Sequence, residues 1–537
     1  MRAFSRLLDR LAFTPSRNAK LVLMRDYFRE TRDPERGWAL AALTGALTFE
    51  VAKPAAIRKA IEARMDPQLF AMSYDHVGDL AETVALVWPT RADAPTREPE
   101  LSEVVDTLQS ALRHDVQRLL ETWLDALDAD GRWALLKLLT GGLRVGVSAR
   151  LAKQALASLG GKDVSEIEEL WHAQHPPYED VFAWLEGRSE KPARTAPGRF
   201  RPVMLAQALD EAIDFAKLDA RDYAAEWKWD GIRVQAVSEG GVRRLFSRTG
   251  DDIAHSFPDV IAALNFEGVI DGELLVIRNG AIASFSDLQQ RLNRKTPDAK
   301  TIANFPAAIR AYDLLLESED DLRTLPFRER RKRLETFVAR SGSPRLDLSP
   351  LVPVESWEAL AALRAVPPPG DAALAEGLML KRWDSIYEAG RPKGPWFKWK
   401  RDPHLIDAVL MYAQRGHGKR SSFYSDYTFG VWREDTNGTR VLTPVGKAYF
   451  GFTDEELRAL DKFVRDNTIE RFGPVRSVRA DKDLGLVLEV AFEGLQRSTR
   501  HKSGVAMRFP RISRIRWDKP AREADELVTL ERMLEQK

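Results

Sequence analysis

The sequence predicts a multidomain α + (α/β) + β chain: an all-α part, a mixed α/β part and a small β-barrel. Three observations carry this expectation. Up to about residue 185 apolar residues recur at helical spacing; up to about residue 400 strand-like runs alternate with helical ones; after residue 402 short strands dominate. At 537 residues the chain is too long for one ordinary core and suggests about three domains.

Taken in order, the helical part places Val104, Val105, Leu108 and Leu112 on one face. Near its centre, Leu139-Thr140-Gly141-Gly142-Leu143-Arg144-Val145-Gly146-Val147-Ser148 interrupts two helical runs, with Ser148 as an N-cap. Backbone amides at such a break suit a phosphate, although an ordinary turn between helices is the commoner reading of that spacing. Residues 187–200, rich in Gly, Pro and charge, read as a linker. The predicted divisions are therefore 1–186, 187–200, 201–401 and 402–537. In the last, strands are expected at 424–432, 440–445 and 485–492, with a helix near 454–468.

Composition excludes several chemistries. With no cysteine there is no disulfide and no Cys-ligated metal site. Net charge is only +1, so any nucleic-acid surface must come from local clustering. The N-terminal segment carries charges through its apolar positions, which fits neither a signal peptide nor a membrane span, so a cytoplasmic enzyme without a membrane association is expected. Gly416-His417-Gly418-Lys419-Arg420 lacks the earlier glycine and the following hydroxyl of a Walker A loop. The histidines do not cluster beyond His172 and His175, which read as surface or packing residues.

The central stretch is Glu226-Trp227-Lys228-Trp229-Asp230-Gly231-Ile232-Arg233, a lysine between two tryptophans at a strand–turn–strand. A lysine so held is a candidate nucleophile, because desolvation and neighbouring cations favour the neutral amine. Alone, the motif more often marks a surface lysine beside a hairpin turn; its downstream company changes that reading. Arg248 ends a strand in a turn suited to a phosphate or a ribose oxygen. Asp271 and Glu273 share a strand face among branched aliphatics, and two such carboxylates need a cation such as Mg²⁺, or hydrogen-bond donors. Tyr312 is placed to stack on a purine, a core tyrosine being the plainer alternative. Glu376 starts a strand on which Met379 and Lys381 share a face, and Lys398 and Lys400 project together, as an α-phosphate requires. Residues 495–520 hold eight Lys or Arg against one acid, Asp518. That run interleaves cations with apolar residues, which suits a packed strand with its guanidiniums aimed one way.

These clusters, in this order, resemble the covalent nucleotidyltransferases, specifically the ATP-dependent DNA ligases of the three-domain archaeal and eukaryotic type. Glu226-Trp227-Lys228-Trp229-Asp230-Gly231 is similar to the family's adenylated-lysine motif, and Ser247-Arg248-Thr249-Gly250 to its ribose- and phosphate-contacting turn. Asp271-Gly272-Glu273, Tyr312-Asp313, Glu376 to Lys381 and Lys398-Trp399-Lys400 resemble the remaining pocket motifs, and Arg508 to Lys519 the motif that orients pyrophosphate.

The resemblance implies an N-terminal DNA-binding domain, an adenylation domain entered at Met204-Leu205-Ala206, and a C-terminal OB-fold. It implies Lys228 as the catalytic lysine and Glu226, Arg233, Arg248, Glu273, Tyr312, Met379, Arg391, Lys398, Lys400, Arg508, Arg511 and Lys519 as nucleotide-binding residues. Glu273 and Glu376 are then the metal ligands, with ATP and Mg²⁺ (or Mn²⁺) as cofactors and nicked double-stranded DNA as the partner of a monomer. Pro392 stands where many members carry a second basic residue, leaving Arg391 and Lys393 to cover it. On this resemblance the chain is expected to start directly in the DNA-binding domain, without an N-terminal extension, and no obvious clamp-binding peptide is expected in it. An RNA ligase or mRNA capping guanylyltransferase shares the lysine motif without needing the helical domain, an NAD-dependent ligase would need cysteines, and a non-catalytic scaffold would not need these side chains.

Overall fold

Lys228 lies where the chain leaves one β-sheet and enters another, and that crossing organises the central region. The computed structural model describes all residues except 48, 50–53, 78, 90–96, 113, 193–196, 293, 295, 416–423, 436, 449–453, 474, 500 and 536–537. The Gly416–Arg420 segment, and the side chain of His172, lie outside the described residues. The chain divides into two compact units: residues 17–40 with 148–401, and residues 1–16 with 41–147 and 402–537.

The unit containing Lys228 begins with helices Arg17–Glu30, Ala149–Leu159, Val164–Leu170 and Glu179–Leu185. Ser148 caps the second of these, accepting from the Leu151 amide at 3.2 Å. Then follow β1 (Gln207–Ala208), β2 (Tyr223–Trp227), β3 (Ile232–Glu239), β4 (Val242–Ser247), β5 (Gly268–Arg278), β6 (Ala281–Ile282), β7 (Ala307–Glu317), β8 (Asp320–Asp321), β9 (Leu346–Leu348), β10 (Leu351–Val352), β11 (Gly377–Arg382) and β12 (Trp396–Lys400). One sheet runs β1-β12-β11-β2-β10; the other runs β4-β3-β5-β7-β8, with β6 on β5 and β9 on β7. The turn after Lys228 is thus not a hairpin, since β2 and β3 belong to different sheets.

Two glycines make that crossing possible. A Cβ on Gly231 would stand 2.4 Å from the Leu274 carbonyl oxygen. Gly377 has φ +140°, and its Cβ would stand 2.2 Å from the carbonyl oxygen of Trp399. Val234, Ile270, Leu274, Ile309 and Leu314 bury one face of the second sheet, while Leu275 and Trp229 pack into the core of the first with Trp227, Leu378 and Trp399. The helix Phe327–Ser341 closes on β7 through Phe327, Leu334 and Phe337 and brings Arg330 and Arg331 inward.

In the other unit, helices Arg2–Phe13, Pro54–Glu62, Pro67–Val77, Leu80–Val87, Leu101–Ser110 and Val116–Ala126 accompany Ala129–Leu139, whose residues from Gly131 onward are all buried. Val104, Val105 and Leu108 are buried as expected, but Leu112 is 63% exposed, because that helix ends at Ser110 before the apolar stripe reaches it. The strands here are β13 (His404–Arg415), β14 (Tyr424–Glu434), β15 (Arg440–Ala448), β16 (Thr468–Phe472), β17 (Val475–Val478), β18 (Val487–Phe492), β19 (Gly494–Arg497), β20 (Val505–Arg508) and β21 (Arg511–Arg516). β13 pairs with β14, β17 and β18, β18 pairs with β21, and β19 with β20. Their apolar side chains form one core with Leu460 and Val464 of the helix Asp454–Asp466. No helix among the described residues is long and apolar enough to cross a membrane.

Candidate active site

Backbone bonds on both sides of Lys228 clamp it between the strands. Its amide donates to the Gly377 carbonyl at 2.8 Å, and its carbonyl accepts from the Glu376 amide at 2.7 Å. Its side chain is 22% exposed, held yet reachable, and its Nζ is ion-paired with the Glu376 carboxylate.

Glu273 stands opposite on β5. No hydrogen bond reaches its half-buried carboxylate among the described residues, and burial pushes it up to about 8; Glu376 and Asp230 add to the rise, while Lys228 and Arg233 oppose it. The sign of the resulting pH dependence follows. The protonated form is favoured in the folded state, an advantage fully present below about 4.5 and lost as pH rises through about 8. In chelator, Glu273→Gln is therefore expected to gain thermal stability relative to the wild type as pH climbs from 5 to 8.5, read as the difference in Tm; a difference independent of pH would contradict it.

Asp271, two residues earlier, meets the second of the two alternatives that the sequence left open, hydrogen-bond donors in place of a cation. Arg233 Nη2 donates to it at 2.6 Å, Tyr387 Oη at 2.5 Å and Gln235 Nε2 at 3.2 Å, so protein donors receive the charge. Arg233 also donates to the Met204 carbonyl at 2.6 Å, tying the first stretch of this region to the site. Tyr312 is half-buried beside this group, with the Arg233 guanidinium 5.9 Å from its ring centroid.

The cations gather on the other side. Burial holds the Lys398 amine below the usual lysine range, and Arg391, Lys400, Arg248 and Lys228 push it further down. Arg248 is likewise lowered, by burial first and then by Arg233 and Arg391, with Tyr312 and Glu273 opposing. Met379 pairs in register with Glu226 on one side and Lys398 on the other. Beside Arg391 opens a cleft of about 530 Å³ whose lining includes Lys217, Lys393 and Asp214.

Glu226 is buried beneath this surface, with both carboxylate oxygens engaged: Arg331 donates to one at 2.9 Å and Lys381 to the other at 2.6 Å. Sequence reasoning missed Arg331 and Tyr387. Both meet their partners more than a hundred positions away, and the only local signal for Arg331 was an inward-facing cation on a helix otherwise rich in exposed charge.

Arg508, Arg511 and Lys519 belong to the other unit. There Arg508 is half-buried at the end of β20, Arg511 is exposed at the start of β21, and Lys519 donates to Asp407 at 2.7 Å.

A nucleophilic amine paired to one carboxylate, a second carboxylate with no hydrogen bond among the described residues and a bank of cations suit transfer of a phosphoryl-linked group to lysine. Comparison with known proteins agrees. Residues 203–400 match the family described as ATP dependent DNA ligase domain, residues 420–519 the ATP dependent DNA ligase C terminal region and residues 1–157 the DNA ligase N terminus. A probable DNA ligase of Koribacter versatilis is 32% identical, over 99% of this chain and 96% of its own. DNA ligase 1 of Korarchaeum cryptofilum is 30% identical, over 100% of this chain and 98% of its own. The solved structure named Pmar-Lig_Pre shares the fold, with a TM-score of 0.58 at 16% identity over 96% of this chain and 99% of its own. The chain belongs to the ATP-dependent DNA ligases.

Proposed function

We propose that this ligase seals nicks in duplex DNA through an AMP adduct on Lys228. The observation that carries the reading is the pairing of the Lys228 amine with Glu376, near the half-buried carboxyl of Glu273 and the amine of Lys398. Lys228 Nζ attacks the α-phosphorus of ATP; the N–P bond forms, the bond to the bridging oxygen breaks, and pyrophosphate leaves. The nick's 5′-phosphate then takes AMP from the lysine, and the adjacent 3′-hydroxyl displaces AMP to close the backbone. Lys398, Lys400 and Arg391 stabilise charge on the α-phosphate as it becomes five-coordinate.

Arg233, Arg248 and Tyr312 hold the nucleoside with Met379 and Glu226, and Arg508, Arg511 and Lys519 serve chiefly the first step. Glu273 and Glu376 fit Mg²⁺ or Mn²⁺, since a hard cation takes one or two carboxylates together with substrate phosphates. Among the described residues no group of three or more acidic, His or Cys side chains would hold a metal ion by itself, so the two carboxylates would hold it together with the triphosphate. Such a cation neutralises triphosphate charge. Lys398→Ala and Lys400→Ala are each expected to slow adduct formation by about 10²-fold or more, read in a single-turnover assay.

The divisions at 1–186, 187–200, 201–401 and 402–537 are the domains we assign: a helical DNA-binding domain, a linker, the adenylation domain and an OB-fold. The passage between compact units at Arg401 and Asp402 supports a hinge there, and the enzyme acts as a monomer in the cytoplasm or nucleoid.

A gel assay on a singly nicked, 5′-phosphorylated duplex tests the reading: sealing is expected with ATP, and not with NAD or GTP. Sealing of nicked RNA in preference to DNA would favour an RNA ligase instead. Binding to the nick is expected to weaken steeply with salt, as contacts made mostly to phosphates require.

A further inference from the structure

Two buried cations at the floor of the site have no part in the chemistry above. Arg331 comes from the helix Phe327–Ser341 and Lys381 from β11, and they meet on the carboxylate of Glu226. Both are held on their far sides. Arg331 donates to the Ser349 carbonyl at 2.8 Å, and the Ser349 hydroxyl accepts from the Trp229 indole at 3.0 Å. Lys381 donates to the Tyr312 carbonyl at 3.1 Å, and its ammonium lies 4.3 Å from the Tyr312 ring centroid and 4.9 Å from that of Trp396. Neither cation is free to swing away.

Glu226 lies on β2 and Lys228 one residue beyond its end, where the bonds of Lys228 to Gly377 and Glu376 continue the strand pairing, so the two Cα atoms are about 6–7 Å apart and the side chains leave the same face. With a nucleotide joined to Lys228, that offset puts Glu226 toward the base, in register with Met379 and near Tyr312. We propose that Arg331 and Lys381 are specificity-determining positioning residues: they hold Glu226 as an acceptor-only carboxylate, so the site takes a purine with an amino group at C6 and turns away one with a carbonyl there. The inference rests on the reading of Lys228 as the adenylated residue.

Each oxygen of an ionised carboxylate offers about two lone-pair directions. One on each is taken by a cation, leaving an acceptor for an exocyclic amine. A C6 carbonyl would set acceptor against acceptor in a buried place, and a site built around a hydrogen bond rejects the analogue that cannot make it by large factors. Burial pushes the Glu226 carboxyl up, and Asp313 adds to the rise; Lys381 and Arg331 oppose them. Loss of either cation drives Glu226 further toward the protonated form, which donates to a C6 carbonyl, and the discrimination falls.

Single-turnover labelling of the full chain with α-labelled ATP, GTP and ITP tests this. Inosine, like guanosine, carries a carbonyl at C6 and lacks the amine. Arg331→Gln is expected to lower the ratio of ATP to GTP labelling, and of ATP to ITP labelling, at least tenfold, while Arg331→Lys keeps most of both. Glu226→Gln, which keeps the shape but is able to donate, is expected to relax the same ratios and covers the case in which Arg331→Gln does not fold. Equal loss of labelling from all three nucleotides, or variants that remain selective for ATP, would overturn the proposal. Absence of any label on the wild-type lysine would instead sink the reading of Lys228 on which it depends.

Discussion

Lys228→Ala is expected to form no AMP adduct when incubated with α-labelled ATP and then denatured in acid, a loss of at least about 10⁴-fold. The backbone of Lys228 is clamped by the carbonyl of Gly377 and the amide of Glu376, which fixes its amine beside the bank of cations. Lys228→Arg separates charge from nucleophilicity. A guanidinium keeps an ion pair with Glu376 available but does not lose its proton, so that variant should be equally inert while melting closer to the wild type. Both variants should still close a nick whose 5′-phosphate already carries AMP, because the third step needs no lysyl adduct. Label retained on Lys228→Ala would end the covalent mechanism, whereas loss of the last step along with the first would mean that the substitution had collapsed the pocket.

The second large effect concerns stability. Arg330 and Asp313 are both wholly buried, and Arg330 donates to the two Asp313 oxygens at 2.9 Å each, with further bonds to the carbonyls of Leu325 and Ser385. Asp313→Ala strands a guanidinium away from water and is expected to cost about 3–5 kcal/mol, or about 6–20 °C in Tm for a unit of this size. Replacing both partners together, Asp313→Leu with Arg330→Met, should recover most of that loss, because paired apolar groups carry no unmet charge. Calorimetry of the single and double variants checks both statements, and a single variant within about 1 kcal/mol of the wild type would contradict them. Asp313 follows Tyr312 on β7, so the single variant should also bind ATP more weakly.

The main divisions of architecture were legible because burial leaves a periodic trace: strict alternation in Trp396-Phe397-Lys398-Trp399-Lys400 and a helical stripe in Val104, Val105 and Leu108. The candidate site was legible for a different reason. Lys228, Glu273, Glu376 and Lys398 each sit where a charge has no local justification, and their order along the chain matches a known set. Partnership was not legible. Nothing near Asp271 announces that Tyr387 will reach it across 116 positions, or that Arg331 will cover Glu226 across 105. The parting of β2 and β3 was hidden too, since Asp230-Gly231 suits a hairpin as well as a step between sheets; only the crowding of Gly231 against Leu274 decides it.

The ion sets behind the cleft, Glu226 with Arg331 and Lys381, Asp271 with Arg233 and Tyr387, and Asp313 with Arg330, also constrain descent. A lineage that loses one member of a set inherits a charge it cannot hydrate, so drift at these positions must proceed by joint replacement or by a detour through a weakened ancestor. Across related genomes these residues should therefore come and go as blocks, while their solvent-facing neighbours wander one at a time.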